Sequence, residues 1–155
     1  MVAQDRRSSV VQAFALSRRE LLAAIDGLSD EIVSTPALDG WSAKDHLSHI
    51  AHMDEIRFFE IQRVASRLQP AWPPDNQGYG DSLNALGVEG RRHLPLREIV
   101  RGLELTRSLV LEAIQNAPEE ALDQSRYGEY GLDGGAAHER EHAKAIREWR
   151  KRVGL

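Results

Sequence analysis

Apolar residues recur at intervals of three, four and seven over four long stretches of this chain, and this spacing constrains the fold more than any other feature. An α-helix returns to the same face at these intervals, whereas a half-buried strand needs strict alternation, which no stretch shows. Because such helices must bury their apolar stripes against one another, we predict an all-α protein, a four-helix bundle. The predicted helices run from about Arg6 to Gly27, from Ser42 to just before Pro70, from Leu96 to about Ala117, and from Ala136 to about Val153.

The connections between these helices differ in length. Ser42-Ala43-Lys44-Asp45 is a capping-box pattern and marks the start of the second helix, whereas the segment from Asp30 to Trp41 is predicted to be a connection. Glu119 to Leu122 is predicted to be a short turn. Gln69 to Pro95 contains four prolines and four glycines, so we predict a long irregular connection of the kind that often covers a functional site. We expect residues 1–155 to form a single domain.

Composition excludes several classes of protein. The net charge of −4 disfavours a nucleic-acid surface, which normally carries a basic excess, and the apolar runs are too short to span a membrane. The first seven residues lack the apolar core of a secretory signal, so we expect a cytoplasmic protein. The chain has no cysteine, so disulfides cannot support the fold and a bound metal must have nitrogen or oxygen ligands.

Two histidines four residues apart, His138 and His142, are the most informative residues of the last helix. They project from one face, and at 100° per residue they share a sector with Ala145 and Trp149, which predicts that both rings point into the bundle. Two neighbouring imidazoles in a core would be poorly solvated and hard to charge, and a shared metal ion would resolve both problems. The alternatives are a hydrogen-bonded pair of core histidines and an exposed pair that shares a face by chance.

The same residues match a protease motif. His138-Glu139-Arg140-Glu141-His142 fits the H-E-x-x-H pattern of zinc proteases, with Glu139 as the base, and it fits the inverted H-x-x-E-H pattern equally well. Only 13 residues follow His142, which leaves little room for a further downstream ligand. A protease is therefore the weaker interpretation.

A third ligand must come from upstream, where the second helix contains three histidines. Relative to an apolar stripe through Ile50, Ile61 and Leu68, the three lie at different positions. Periodicity does not choose between His46 and His49 as the third ligand, and His46 also occupies a position from which it can pack on Trp41. The remaining histidine of the chain, in the long connection, is predicted to be at the surface. The four are His46 inside the stripe, His49 at its edge, His52 outside it and solvated, and His93.

Two sequence blocks resemble a known family. Gly40-Trp41-Ser42-Ala43-Lys44-Asp45-His46-Leu47-Ser48-His49-Ile50-Ala51, followed by the H-x-x-x-H of the last helix, resembles the DinB/YfiT-like superfamily. Members are four-helix bundles in which three histidines hold a metal, one from the second helix and two from the last. Carried over by position, the resemblance implies the ligand set His49, His138 and His142. It also implies thiol-dependent chemistry, because relatives use mycothiol or bacillithiol in isomerisation or S-transfer.

The favoured function is thus a metal-dependent enzyme, a thiol-dependent S-transferase or isomerase acting on a small electrophile. Three imidazoles leave a position open on a zinc- or nickel-like ion, and in a chain without cysteine the low-molecular-weight thiol must come from outside. We expect a small-molecule substrate, no nucleic acid and no membrane, and a homodimer is one possible assembly. Metal-assisted hydrolysis, with Glu139 or Glu141 activating water, and a non-catalytic metal-binding bundle are the alternatives.

Other side chains are candidates for supporting roles. Asp54 lies on the inward face of the second helix, where it could orient an imidazole or pair with Arg57. Tyr79, Tyr127 and Tyr130 lie in predicted loops and could line the substrate side, although ordinary loop positions explain them equally well.

Overall fold

The computed structural model of the protein describes residues 2–37, 40–71, 77–127 and 132–155. The regular structure in these residues is helical, with no β-strand, which confirms the all-α prediction. Two short 3₁₀ turns, Glu119–Leu122 and Gln124–Arg126, precede the last helix. The helices are α1 Val2–Ile25, α2 Asp30–Val33, α3 Ala43–Ala65, α4 Gln77–Glu89, α5 Leu96–Asn116 and α6 Leu132–Val153.

The start of α3 follows the predicted capping box. The Ser42 hydroxyl accepts a hydrogen bond from the backbone N–H of Asp45 at 3.1 Å, and the Asp45 carboxylate accepts one from the Ser42 N–H at 3.0 Å. Both N–H groups would otherwise lack partners inside the helix. This cap fixes the direction in which Trp41 and the histidines of the first turns project.

The long connection Gln69 to Pro95 was wrongly predicted to be irregular, because it contains the 13-residue helix α4. Its prolines lie before Gln77 or after Glu89, where they do not interrupt helical hydrogen bonds. A glycine inside α4, Gly87, allows a close approach: a Cβ there would overlap the ring of His52 on α3. The predicted connection from Asp30 to Trp41 likewise contains the short helix α2, capped by a hydrogen bond from Ile32 to Ser29.

The four long helices pack as two pairs, α1 along α6 and α3 along α5, with α4 on the outside of α3. Their apolar residues form two separate clusters rather than one continuous core. One cluster contains Leu21, Leu47, Ile50, Leu103 and Ile146, and the other contains Phe14, Ile61, Val110, Ile114 and Leu132.

Buried charged side chains lie between the two clusters. Each of the four long helices contributes at least one of them, at a point where its apolar stripe is interrupted. We call these residues the charged layer: Arg18 of α1, Asp54 and Arg57 of α3, Arg107 of α5 and Glu139 of α6.

The start of α6 is earlier than predicted, at Leu132 instead of Ala136. The sequence Gly134-Gly135 suggested a loop, but both residues lie in the first turn of the helix. Gly135 is needed there because a Cβ would lie 2.7 Å from the guanidinium group of Arg57. Within the described ranges, no helix combines the length and the apolar character that crossing a membrane requires.

Candidate metal centre

Three histidines converge where α3 faces α6. His49 comes from the second turn of α3, and His138 and His142 lie one turn apart on α6. The Nε2 atoms of His138 and His142 are 2.9 Å apart, and those of His49 and His138 are 3.3 Å apart. One ring nitrogen from each histidine lies within 4.8 Å of the other two. The structure therefore brings together the three residues that the resemblance named.

These separations suit a common metal ion. Two nitrogens bound at 2.0–2.1 Å lie about 2.9 Å apart when they subtend 90° at the metal, and about 3.3 Å apart at a tetrahedral angle. The separations of 2.9 and 3.3 Å between the Nε2 atoms are close to this range. The three histidines could therefore bind a divalent cation with little rearrangement of the helices.

Burial keeps the three imidazoles neutral, as coordination requires. Only 4% of the His49 surface is exposed, and burial, with further contributions from the neighbouring histidines and from Arg57, lowers the pKa of His49 to about 3. Burial and the neighbouring His138 lower the pKa of His142 to about 2. The pKa of His138 is also lowered, first by burial and then by the Arg57 guanidinium. At neutral pH the lone pairs of these rings are therefore available to a metal.

The two α6 histidines of the triad His49, His138 and His142 lie at the edge of the buried face of α6 rather than at its centre. The centre is formed by Ala136, Glu139, Ala143 and Ile146, whereas both histidines of α6 are half-buried. The centre of the buried face thus lies about one residue around the helix from the predicted sector, which contained Ala145 and Trp149 besides the two histidines. From this flanking position the rings of His138 and His142 extend toward α3, while the buried face of α6 packs on α1.

On α3 the predicted order of burial was wrong. His49 is buried and His46 only half-buried, the reverse of the prediction. The predicted stripe was drawn through Leu68, which lies beyond the end of α3 and is 52% exposed. Leu68 lies at the same helical angle as Ile50, however, so the burial of His49 has another cause: its ring packs against His138 and His142 of α6.

The other histidines have separate environments. The Nδ1 atom of His46 lies 2.6 Å from Nδ1 of His142, and its ring packs edge-on against Trp41 with 5.3 Å between centroids. His52 is not solvated as predicted, because its ring packs against Gly87 of α4 and its Nδ1 lies 3.2 Å from a Glu55 carboxylate oxygen. His93 is exposed, as predicted.

Asp54 belongs to the charged layer rather than to the histidine site. Its carboxylate is fully buried and accepts hydrogen bonds from Arg57 at 2.7 Å, Arg18 at 2.9 Å and Arg107 at 2.9 Å. The three guanidinium groups hold the pKa of Asp54 below its usual value despite the opposing effect of burial. Of the two predicted roles, the ion pair with Arg57 is the one that the described residues support, and it extends to two further arginines.

Glu139, which would be the base in the protease motif, also belongs to the charged layer. Its side chain is fully buried and accepts hydrogen bonds from Ser17 at 2.5 Å, from Arg18 at 2.5 Å and from Arg107 at 2.8 Å. Both carboxylate oxygens are used in these bonds. The H-E-x-x-H pattern therefore combines two histidines of one site with a glutamate of another, while Glu141 is exposed.

The charged layer could have been recognised in the sequence, because some of its arginines occupy positions within the apolar stripes of the helices. Arg107 follows Leu103 by four residues and precedes Val110 by three, and Arg18 stands in the same relation to Phe14 and Leu21. Positions in this register normally hold apolar residues. A charged residue that keeps the register of the buried stripe on several helices indicates a buried polar layer.

The tyrosines do not add to the described site. The hydroxyl of Tyr127 donates a hydrogen bond to the carbonyl of Ala121 at 2.5 Å, and burial raises the pKa of Tyr127 to about 12. Its ring packs on the apolar cluster around Leu122 and Leu132. Tyr130 and the side chain of Tyr79 lie outside the described residues.

Comparison with known proteins places this chain in a family. No curated protein matches the chain. The fold is similar to that in the crystal structure of an uncharacterised protein from Escherichia coli UTI89, with a TM-score of 0.77 and 14% identity over 96% of this chain and 95% of that one. At that identity the likeness shows the fold alone. The family model described as the DinB superfamily matches residues 13–146, a span that includes all three converging histidines. This confirms the resemblance read from the two sequence blocks, and the chain belongs to the DinB superfamily.

Proposed function

We propose that the protein is a metal-dependent enzyme in which His49, His138 and His142 hold a zinc- or nickel-like ion, and in which an external thiol attacks a small electrophilic substrate. The observation that carries this proposal is the convergence of three neutral imidazoles from α3 and α6, that of His49 buried and those of His138 and His142 half-buried. Three protein ligands are typical of catalytic zinc sites, whereas structural sites use four.

When bound, the ion would lower the pKa of a thiol and so supply a nucleophilic sulfur at neutral pH. The chain's own residues contribute position and charge. The histidines come from two helices that the bundle holds in place, so the site is formed before the ion arrives. The chain has no cysteine, so the sulfur must belong to a second molecule.

The charges around the triad support an anionic ligand. The three histidines are neutral, and Arg57 is close enough to lower the pKa of both His49 and His138. The charged layer contains three arginines and two carboxylates and therefore carries a net charge of +1. A dication beside this layer favours a negatively charged fourth ligand such as a thiolate over a neutral one.

In an S-transfer, the sulfur lone pair would form the new S–C bond, and the leaving group would depart with the electron pair of the broken bond. The thiol proton would pass to solvent. No side-chain base is required for this proton if the thiol is already ionised. This suits a site in which Glu139, the base that the protease motif would require, is engaged by Ser17, Arg18 and Arg107.

Metal analysis of single variants tests the ligand set. His49→Ala, His138→Ala and His142→Ala should each lose most of the zinc that the dialysed wild-type protein retains. The exposed His93→Ala is the matched control and should retain it. Equal zinc content in all four variants would refute the site.

Cobalt substitution tests the chemistry. Titration of the Co²⁺ protein with 2-mercaptoethanol should produce a sulfur-to-metal charge-transfer band in the near ultraviolet, because the sulfur would enter the open position. If the band is absent and the zinc protein hydrolyses an activated ester without thiol, the function is hydrolytic. If neither occurs, the bundle binds metal without the proposed catalysis.

A further inference from the structure

The two ring nitrogens of His142 face two different histidines. Its Nε2 lies 2.9 Å from Nε2 of His138, inside the triad, and its Nδ1 lies 2.6 Å from Nδ1 of His46 on α3. An imidazole that gives one nitrogen to a metal must carry its proton on the other, and that N–H normally donates to a partner that fixes the ring. His142 has both contacts.

We propose that His46 is a positioning residue that holds His142 in the orientation needed for metal binding. The inference rests on the proposed metal site. With Nε2 of His142 directed to the ion, its Nδ1–H donates to the Nδ1 lone pair of His46. The proton of neutral His46 then resides on Nε2, so the contact fixes the tautomers of both rings.

This geometry distinguishes a positioning role from a ligand role. The contact between the two rings joins Nδ1 to Nδ1, whereas the triad is built from Nε2 atoms. His46 also lies outside the group of nitrogens that come within 4.8 Å of one another. A fourth ligand would have to bring a nitrogen into that group.

His46 is itself held by the start of α3. Its ring packs edge-on against Trp41 at 5.3 Å between centroids, and the same indole contacts the His49 ring at 5.4 Å. The capping box of Ser42 and Asp45 fixes the backbone between the indole and these rings. Trp41 therefore supports one triad member directly and a second one through His46.

The choice of partner has a chemical consequence. Metal-bound histidines commonly donate to a carboxylate, which makes the imidazole a stronger donor and lowers the charge of the ion. A neutral histidine orients the ring without adding negative charge. An ion held by His142 would therefore stay more electron-poor than one held by a carboxylate-paired histidine.

Zinc affinity of two variants tests the proposal. His46→Ala removes the acceptor, and His46→Asn replaces it with an amide oxygen close to the position of Nδ1. Both lose the ring contact with Trp41, so the difference between them isolates the hydrogen bond. His52→Ala, which deletes a half-buried histidine of the same helix, is the control.

In competition with a chromophoric chelator, His46→Ala should bind Zn²⁺ about 10–100-fold more weakly than wild type, the usual effect of losing such a partner. His46→Asn and His52→Ala should stay within a few-fold of wild type. In ¹⁵N-histidine spectra of the zinc protein, the slowly exchanging Nδ1–H of His142 should persist in the Asn variant and vanish in the Ala variant. Circular dichroism should show the same helix content in all of them.

Two results would overturn the proposal. Wild-type affinity in His46→Ala would show that the contact does not position His142. Complete loss of zinc in both His46 variants, as deep as in His49→Ala, would make His46 a ligand. Failure of the wild-type protein itself to bind zinc would instead refute the metal site, so the two failures are distinguishable.

Discussion

Replacing Glu139 by Gln removes one negative charge from the charged layer while keeping the shape of the side chain. In the wild-type protein, Glu139 accepts from Ser17, Arg18 and Arg107, and its side chain is fully buried. In the variant one carboxylate oxygen is replaced by an amide NH₂, which cannot accept a hydrogen bond from Arg18 or Arg107. The charge of the layer rises from +1 to +2, and two arginines lose part of their compensation.

The expected destabilisation follows from the burial of these partners. Breaking a buried ion pair by neutralising one member typically costs 3–5 kcal/mol, because the remaining charge stays buried without its partner. With a urea m value of about 2 kcal/mol per molar, this corresponds to a fall of about 1.5–2.5 M in the unfolding midpoint. The change should appear in the midpoint and leave the slope unaltered.

The assay is urea unfolding followed by circular dichroism, and Glu141→Gln is the matched control. Glu141 is two residues away on the same helix but exposed, so its variant should stay within about 0.5 kcal/mol of wild type. Adding Arg18→Met to Glu139→Gln returns the layer to +1, so the double variant should be more stable than the sum of the single effects predicts. A Glu139→Gln midpoint equal to that of Glu141→Gln would refute this account of the charged layer.

Three further predictions concern metal, pH and helix packing. Removing the metal with a chelator should lower the melting temperature at neutral pH by about 5–10 °C at a hundredfold excess of metal over its dissociation constant, which calorimetry would detect. Because the folded-state pKa values of His49 and His142 lie near 3 and 2, below the unfolded value near 6.5, the unfolded chain takes up protons first as pH falls. The urea midpoint of the metal-free protein should therefore be constant above about pH 7 and decline between pH 6.5 and 5; a midpoint that rises would contradict the burial of these rings. Gly87→Ala should cost about 1–3 kcal/mol because the new Cβ overlaps the His52 ring, whereas Gly102→Ala, with open space around it in α5, should stabilise the protein by up to about 1 kcal/mol.

The long helices were predictable because their stripes extend over several turns. The second helix also had a capping box at Ser42, which the structure confirms. Helix α4 was missed because its three glycines and the surrounding prolines weaken every local signal for a helix. Its position depends on tertiary contacts, such as that between Gly87 and the His52 ring, which no local pattern encodes.

The site was only partly predictable. The spacing of His138 and His142 indicated that they share a face, but the third histidine could not be chosen by periodicity. The resemblance named His49, and the structure places that residue against the pair. The contact between His46 and His142 depends on the relative rotation of two helices, so no reading of either helix alone could have found it.

The charged layer has a consequence for how the chain is made. α6 follows the other long helices in the chain, and it supplies Glu139, one of the two carboxylates that balance the three arginines. While α1, α3 and α5 have left the ribosome and α6 has not, the layer carries three positive charges and a single negative one, Asp54. These helices therefore cannot close over it at low cost before the last one arrives. Translation thus orders the assembly: the bundle should become resistant to protease only after α6 has emerged, and arrested chains that lack it should remain substrates for chaperones.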